Sequence, residues 1–101
     1  MAVVSVTTTE VDVFFGPSNV SSLSFKNGSA AGKIFLRNKQ QKQNAVTSTD
    51  YEWSLGPGEA IGVSAFIDGD GIIGPWQAIS DTGGGVTLEI LAIYKNATRG
   101  R

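Results

Sequence analysis

Hydrophobic and polar residues alternate along much of the chain in short runs, and turn-forming residues separate these runs. The clearest case is residues 86–93, where the even positions are Val86, Leu88, Ile90 and Ala92. Strict alternation of this kind places one set of side chains on each face of a β-strand. No longer window shows the 3.6-residue apolar period of an amphipathic helix. The pattern therefore predicts an all-β protein.

The runs predict about eight short strands, each rich in β-branched or aromatic residues and bounded by turn-forming residues. We predict strands at about residues 2–8, 10–15, 20–25, 33–38, 60–67, 76–80 and 86–93, with shorter extended pieces at 45–47 and 51–53. Asn27-Gly28 is a strong signal for a tight hairpin turn. The polar segment 39–44 is expected to be an exposed loop, and residues 95–101 a frayed basic tail.

The number of strands and the length of the chain define the expected architecture. A chain of 101 residues is predicted to form one domain, residues 1–101. Short strands in this number predict a small two-sheet β-sandwich with jelly-roll or immunoglobulin-like connectivity and no substantial helix. A closed barrel is the alternative, because the sequence does not show which strands pair.

The chain contains no cysteine and no histidine, which removes much of the usual catalytic and metal-binding chemistry. Disulfides, thiolate nucleophiles and cysteine zinc sites require cysteine, and histidine is the commonest metal ligand and proton-transfer group near neutral pH. Carboxylates such as Glu52 and Glu59 are the residue type that hydrolyses glycosides, but a domain this small has little room for a deep cleft. We therefore expect no enzymatic activity, no cofactor and no metal site.

Charged residues are distributed unevenly, although the net charge is only −1. Five cations and no acid lie between Lys26 and Lys42, whereas seven acids and no cation lie between Asp50 and Glu89. Such polarity would let the domain attract a copy of itself or a charged neighbour. The alternative is that solvent-exposed strand faces carry charges of opposite sign without any role in binding. The balanced total argues against a nucleic-acid partner.

No targeting or membrane-spanning pattern is visible in the sequence. The first residues lack the charged and apolar regions of a signal peptide. No apolar run approaches the roughly 20 residues that a membrane-spanning helix needs. We therefore expect the chain to be made and folded in a cytoplasm, with no membrane partner.

From about residue 33 to residue 94, the motifs follow a recognisable order. A strand at 34–38 and a polar segment are followed by the turn sequence at 53–61, by Trp-Gln-Ala-Ile-Ser-Asp-Thr-Gly at 76–83, and by a Val-x-Leu-x-Ile strand. In this order they resemble a module of small tailed-bacteriophage virion proteins of the capsid decoration or head-fibre type. The resemblance implies a β-sandwich without catalytic residues that binds the virion lattice.

The resemblance implies a structural protein of the virion, made in the cytoplasm of the bacterial host, that binds the major capsid protein or other virion proteins and stabilises the lattice. For a protein in this role we also expect a homo-oligomer on the particle, whose weak contacts add up through symmetry. The side chains expected to make these contacts are Val3, Val4, Val11, Val13, Lys39 and Lys42. The valines lie in an N-terminal segment, residues 1–15, that could add a strand to a neighbouring sheet or form the first two strands of its own domain. The lysines would face an acidic capsid surface.

Two other functions stay open at this point. One is a receptor- or glycan-binding module of a phage tail or fibre, in which Tyr51, Trp53 and Trp76 would form an exposed aromatic row. In a sandwich these residue types also commonly fill the core or an interface rim. The other is a non-viral β-sandwich adaptor or a small structural protein of a bacterial assembly.

Overall fold

The computed structural model describes residues 2–65, 69–83 and 85–94, and these residues form two antiparallel four-stranded sheets. The strands are β1 (Ala2–Val6), β2 (Val11–Phe14), β3 (Val20–Asn27), β4 (Ile34–Asn38), β5 (Trp53–Leu55), β6 (Ala60–Ser64), β7 (Trp76–Ser80) and β8 (Val86–Tyr94), and a 3-10 turn (Asp70–Ile73) precedes β7. The predicted all-β sandwich is confirmed. The predicted basic tail, residues 95–101, lies outside the described residues.

The strand order identifies the sandwich as a jelly roll. Sheet A has the order β1-β8-β3-β6, and sheet B has the order β2-β7-β4-β5. β1 pairs with β8, β2 with β7, β3 with β6 and β4 with β5, as if one long hairpin had been wrapped around itself. Of the two connectivities expected from the sequence, this nested pairing is the jelly roll.

β8 shows why the alternating pattern predicted strands well. Val86, Leu88 and Ile90 are buried between the sheets, whereas Leu91 is exposed on the outer face of sheet A. β8 is antiparallel to both of its neighbours, β1 and β3. Burying an aliphatic side chain contributes about 1.5–3 kcal/mol, so a one-residue slip of β8, which would turn these side chains outward, is strongly disfavoured.

The main core fills the space between the two sheets and surrounds one tryptophan. Trp76 is 1% exposed, and its ring centroid lies 5.0 Å from that of Phe25. The Trp76 Nε1–H donates a 2.7 Å hydrogen bond to the carbonyl of Ile72 in the 3-10 turn, so the polar atom of this buried ring has a partner. The larger buried aliphatic residues around it are Val6, Val13, Val20, Leu23, Ile34, Leu36, Leu55, Val63, Ile72, Val86, Leu88 and Ile90.

A smaller apolar cluster lies on the outer face of sheet B, beneath the segment 39–52. Phe35 and Ile79 are neighbours across β4 and β7, and both pack with Val46. The predicted extended piece at 45–47 is not one of the strands. Instead, Val46 is buried on the sheet, and its backbone N–H donates a 2.9 Å hydrogen bond to Oε2 of Glu10.

The predicted hairpin at Asn27-Gly28 is wrong. Asn27 is the last residue of β3 in sheet A, and the next strand, β4, belongs to sheet B, so the chain crosses between sheets at this point. The Asn27 side chain is completely buried, and its Nδ2 donates to the carbonyls of Gly32 (2.9 Å) and Leu55 (3.0 Å). Its Oδ1 accepts from the N–H of Ser29. The residue that suggested a turn therefore joins three segments of the chain.

Candidate functional site

The basic and acidic segments of the sequence meet in the folded chain. Arg37 bonds both Asp50 and Glu52, and Nζ of Lys42 lies 2.9 Å from Oδ1 of Asp50. These cations hold the pKa of Asp50 at about 2, below its usual value, chiefly through the Arg37 hydrogen bond and then through that of Lys42. Two of the five cations in the basic segment, Arg37 and Lys42, therefore pair with the acidic segment of the same chain. These residues do not support the idea that opposite charges attract a second copy.

Arg37 organises the loop that covers the outer face of sheet B. Its side chain is completely buried. Nη1 donates to the carbonyls of Asn44 (2.9 Å) and Ala45 (3.1 Å), Nη2 donates to Asp50 (2.6 Å), and Nε donates to Glu52 (3.1 Å). A guanidinium has five N–H donors in a fixed plane, so it can hold several segments at once. Arg37 therefore has a structural role that sequence reasoning did not assign.

Lys39 and Lys42, expected to face a capsid, both have partners within the domain. Nζ of Lys39 lies 3.6 Å from Oε2 of Glu10 and donates a 3.2 Å hydrogen bond to the carbonyl of Asn44. Its side chain is only 15% exposed, so Lys39 offers little surface for docking. Lys42 bonds Asp50 but keeps about half of its side chain exposed.

The N-terminal valines lie in two strands at the edges of the sandwich. β1 pairs with β8 and β2 pairs with β7 of the same chain, as in the alternative of an ordinary first pair of strands. Val13 is buried in the core, and Val4 and Val11 are half-buried against it. Val3 alone among the four is exposed. The expectation that Val13 contacts a neighbour is wrong for this fold, because its side chain already fills the core.

The three aromatic residues do not form a row. Trp76 is buried, and the ring of Trp53 packs over it between the sheets, with 5.6 Å between centroids. Tyr51 packs instead on Phe35, on the outer face of sheet B. Alternation would place positions 51 and 53 on one face, but the chain bends at Glu52 and β5 begins only at Trp53. The expected shared platform is therefore wrong, and Trp53 is separated from Tyr51 by the sheet.

The C-terminal half of β8 presents an apolar edge. Ala2 pairs with Ile90, so among the described residues no strand flanks positions 91–94 on the β1 side. Leu91 and Ile93 are 46% and 49% exposed on the outer face. On the inner face an apolar groove of about 240 Å³ is lined by Ala2, Phe14, Ile90, Ala92 and Tyr94. Sequence reasoning missed this surface, although the unbroken apolar run at 91–94 was a signal that both faces carry apolar side chains.

A second cavity opens between the sheets at the side where β5 and β6 form the edges. Its volume is about 200 Å³, and it combines two aromatic rings with polar side chains. The lining residues are Asn38, Gln41, Glu52, Trp53, Val63, Gly71, Ile72 and Trp76. Sequence reasoning named both tryptophans but missed Asn38 and Gln41, because nothing local indicates that the loop after β4 meets the 3-10 turn.

The described residues hold no group of three or more metal-ligating side chains. Across residues 2–65, 69–83 and 85–94 there is also no helix of the length and apolarity needed to cross a bilayer. Comparison with protein-family models, curated protein sequences and solved structures found no significant match. The surfaces of the jelly roll are therefore the basis for a functional proposal.

Proposed function

We propose that the protein is a structural virion protein of the capsid decoration type, which binds the particle through the open edge of β8. The observation that carries this proposal is that, within residues 2–65, 69–83 and 85–94, no strand pairs with positions 91–94 on the β1 side, where apolar side chains are exposed on the outer face and an apolar groove lies on the inner face. Soluble proteins usually protect such edges with charges, prolines or a covering segment. The described part of the chain places no charged side chain or proline at positions 91–94, which suits this stretch to pairing with a partner strand.

Strand addition explains how so small a surface can bind. The main chain of a partner strand would hydrogen-bond to the free edge of β8, while its side chains would contact Leu91 and Ile93 on one face and fill the groove beside Tyr94 on the other. Each contact buries a modest area, but copies arranged on a symmetric lattice add avidity. Binding of this kind requires no catalytic residue.

The position of β1 indicates where the partner strand would lie. β1 occupies the edge of β8 from Val86 to Ile90, with Val6 and Ala2 at its two ends. A partner strand beside 91–94 would continue the line of β1. In this version of the proposal the N-terminal segment stays in its own domain, and the strand comes from the major capsid protein, another virion protein or a neighbouring copy.

The fold and the sequence resemblance support the same proposal. Jelly rolls occur in viral capsid proteins and in lectins, so the fold is compatible with a virion role without selecting it. The resemblance to phage decoration and head-fibre proteins spans residues 33–94, which include all of β8. We propose localisation on the virion for the same reasons.

Mass spectrometry of purified particles of the encoding phage, with copy counting, tests the role. We expect tens to hundreds of copies per particle, in keeping with lattice symmetry. A handful of copies would indicate a tail or fibre position. Absence from the particle would overturn the proposal.

Particles lacking the protein, supplied with purified variants, test the surface. The double variant Leu91→Ser/Ile93→Ser changes only exposed side chains and should fold, but we expect it to rebind at least ten-fold more weakly. Tyr51→Ser, which alters an exposed aromatic residue on the outer face of sheet B, is the matched control and should rebind like the wild type. Equal binding of the double variant and the wild type would exclude this edge.

A further inference from the structure

We propose that the cavity at the β5–β6 side binds a single neutral sugar ring, which packs against Trp53 and bonds the surrounding polar side chains. The cavity has a volume of about 200 Å³, below the several hundred Å³ of sites for drug-sized ligands. A ligand of about one ring therefore fits. The inference does not depend on the virion proposal, because this cavity and the free edge of β8 share no lining residue.

The aromatic base of the cavity is held in place by the core. Trp53 keeps 37% of its surface exposed, while its ring packs on that of Trp76. Trp76 is in turn fixed by its hydrogen bond to Ile72 and by contact with Phe25. A partly exposed indole on a rigid support offers a preorganised apolar face. The C–H groups of a pyranose ring form a flat apolar surface that can pack against the indole face of Trp53.

The polar side chains of the cavity are also oriented. Asn38 donates from Nδ2 to the carbonyl of Gly71 (2.7 Å) and accepts at Oδ1 from the N–H of Gln40 (2.9 Å). An amide nitrogen has two N–H donors, and contacts among the described residues use only one of them in Asn38. Gln41 adds a second amide, and Gly71 leaves room for it, since a Cβ at position 71 would come within 2.7 Å of its Nε2.

Glu52 also lines the cavity, and Arg37 and the backbone of Asn38 hold its carboxylate in place. Oε1 accepts from Nε of Arg37 (3.1 Å) and from the N–H of Asn38 (3.2 Å), and Oε2 accepts from Nη2 of Arg37 at 3.3 Å. Two amides and an indole, with the one carboxylate already paired with Arg37, together suit a neutral ligand with hydroxyl groups and an apolar face.

Titration of the full chain with methyl glycosides of glucose, galactose, mannose and N-acetylglucosamine tests the proposal. Binding is followed by the NMR shifts of the Trp53 indole N–H and the Gly71 amide. For one ring we expect a Kd in the millimolar range, in keeping with the affinity that a ligand of about a dozen atoms can reach. No shift with any glycoside at roughly ten times that concentration would overturn the proposal.

Variants connect binding to the cavity. Trp53→Ala should weaken binding at least ten-fold, and Trp53→Phe, which keeps an aromatic face, should restore part of it. Because Trp53→Ala also removes packing on Trp76, Gln41→Ala provides a second test at an exposed residue, with an expected loss of several-fold and an unchanged Tm. Tyr51→Ala, on the opposite face of sheet B, is the control and should bind normally.

Two further outcomes contradict the inference. Glycoside binding that is unchanged in both Trp53→Ala and Gln41→Ala would place the site elsewhere on the molecule. Shifts with a neutral nucleoside such as adenosine, but with none of the glycosides, would show that the cavity recognises a base and not a sugar.

Discussion

Nη2 of Arg37 donates a 2.6 Å hydrogen bond to Oδ1 of Asp50, thirteen residues further along the chain. The guanidinium is completely buried, whereas the carboxylate keeps 41% of its side chain exposed. The pair closes the segment 39–52 over the outer face of sheet B, where Val46 completes an apolar cluster. A polar loop in the sequence thus becomes an ordered cover on the sheet.

We expect that replacing Arg37 destabilises the domain and loosens this loop. Arg37→Met should lower the free energy of unfolding by about 2–4 kcal/mol, because the carbonyl of Ala45 loses its side-chain donor and Asp50 loses its buried partner. Arg37→Lys should recover only part of the loss, since an ammonium cannot reproduce the planar donor set. Denaturant unfolding measures the loss of stability, and limited proteolysis within residues 39–50 measures the loosening of the loop.

Lys33→Met is the matched control for these variants. Lys33 is exposed, and it precedes the same strand, β4. Its replacement should change the free energy of unfolding by no more than about 0.5 kcal/mol. If Arg37→Met and Lys33→Met had the same small effect, the structural role of Arg37 would be wrong.

Acid should remove the stabilising contribution of Asp50. Its pKa is about 2 in the folded protein, against an ordinary value of 3.8, mainly because of its hydrogen bond with Arg37. A lowered pKa in the folded state means that the stabilisation is complete above the ordinary pKa and declines as the pH falls toward 2. Asp50→Asn should therefore show a flatter dependence of Tm on pH between about 4 and 2 than the wild type. Parallel curves in this window would contradict the assignment.

The buried amide of Asn27 should be among the most sensitive polar positions. Asn27→Ala leaves the carbonyl of Leu55 and that of Gly32 without their side-chain donor, and it should cost about 2–4 kcal/mol in the free energy of unfolding. Asn44→Ala is the control, because Asn44 is exposed and contributes its backbone carbonyl to the Arg37 network. Urea unfolding of both variants measures the difference. A loss at position 27 no larger than at position 44 would refute the role of Asn27.

Local pattern predicted the strands closely where one face of a strand is buried. The strand predicted at 76–80 matches β7, and the one predicted at 86–93 differs from β8 by one residue. The extended piece at 45–47 failed, because Val46 is buried by contact with a distant sheet face and not by membership in a strand. A single apolar residue has no periodicity, so the sequence cannot distinguish burial within a strand from burial by packing on a distant sheet.

The candidate surfaces were predicted less well than the strands. Trp53 and Trp76 were named from composition, but their separation from Tyr51 follows from the bend at Glu52 and from the contact with Phe35. Among the described residues, the open stretch at 91–94 follows from the register of β1 on β8, in which Ala2 pairs with Ile90. Both features are set by pairing between segments far apart in the sequence.

The sequence by itself determined that this chain forms short strands without cysteine or histidine chemistry, because side-chain alternation and residue type act locally. Tertiary structure decided the jelly-roll order, the pairing of Arg37 with Asp50 and Glu52, and the role of Asn27 as a buried junction in place of a turn residue. These outcomes depend on which distant segments meet. The pairing of distant segments is set by the burial of the two sheets against each other, and a local sequence pattern does not contain this information.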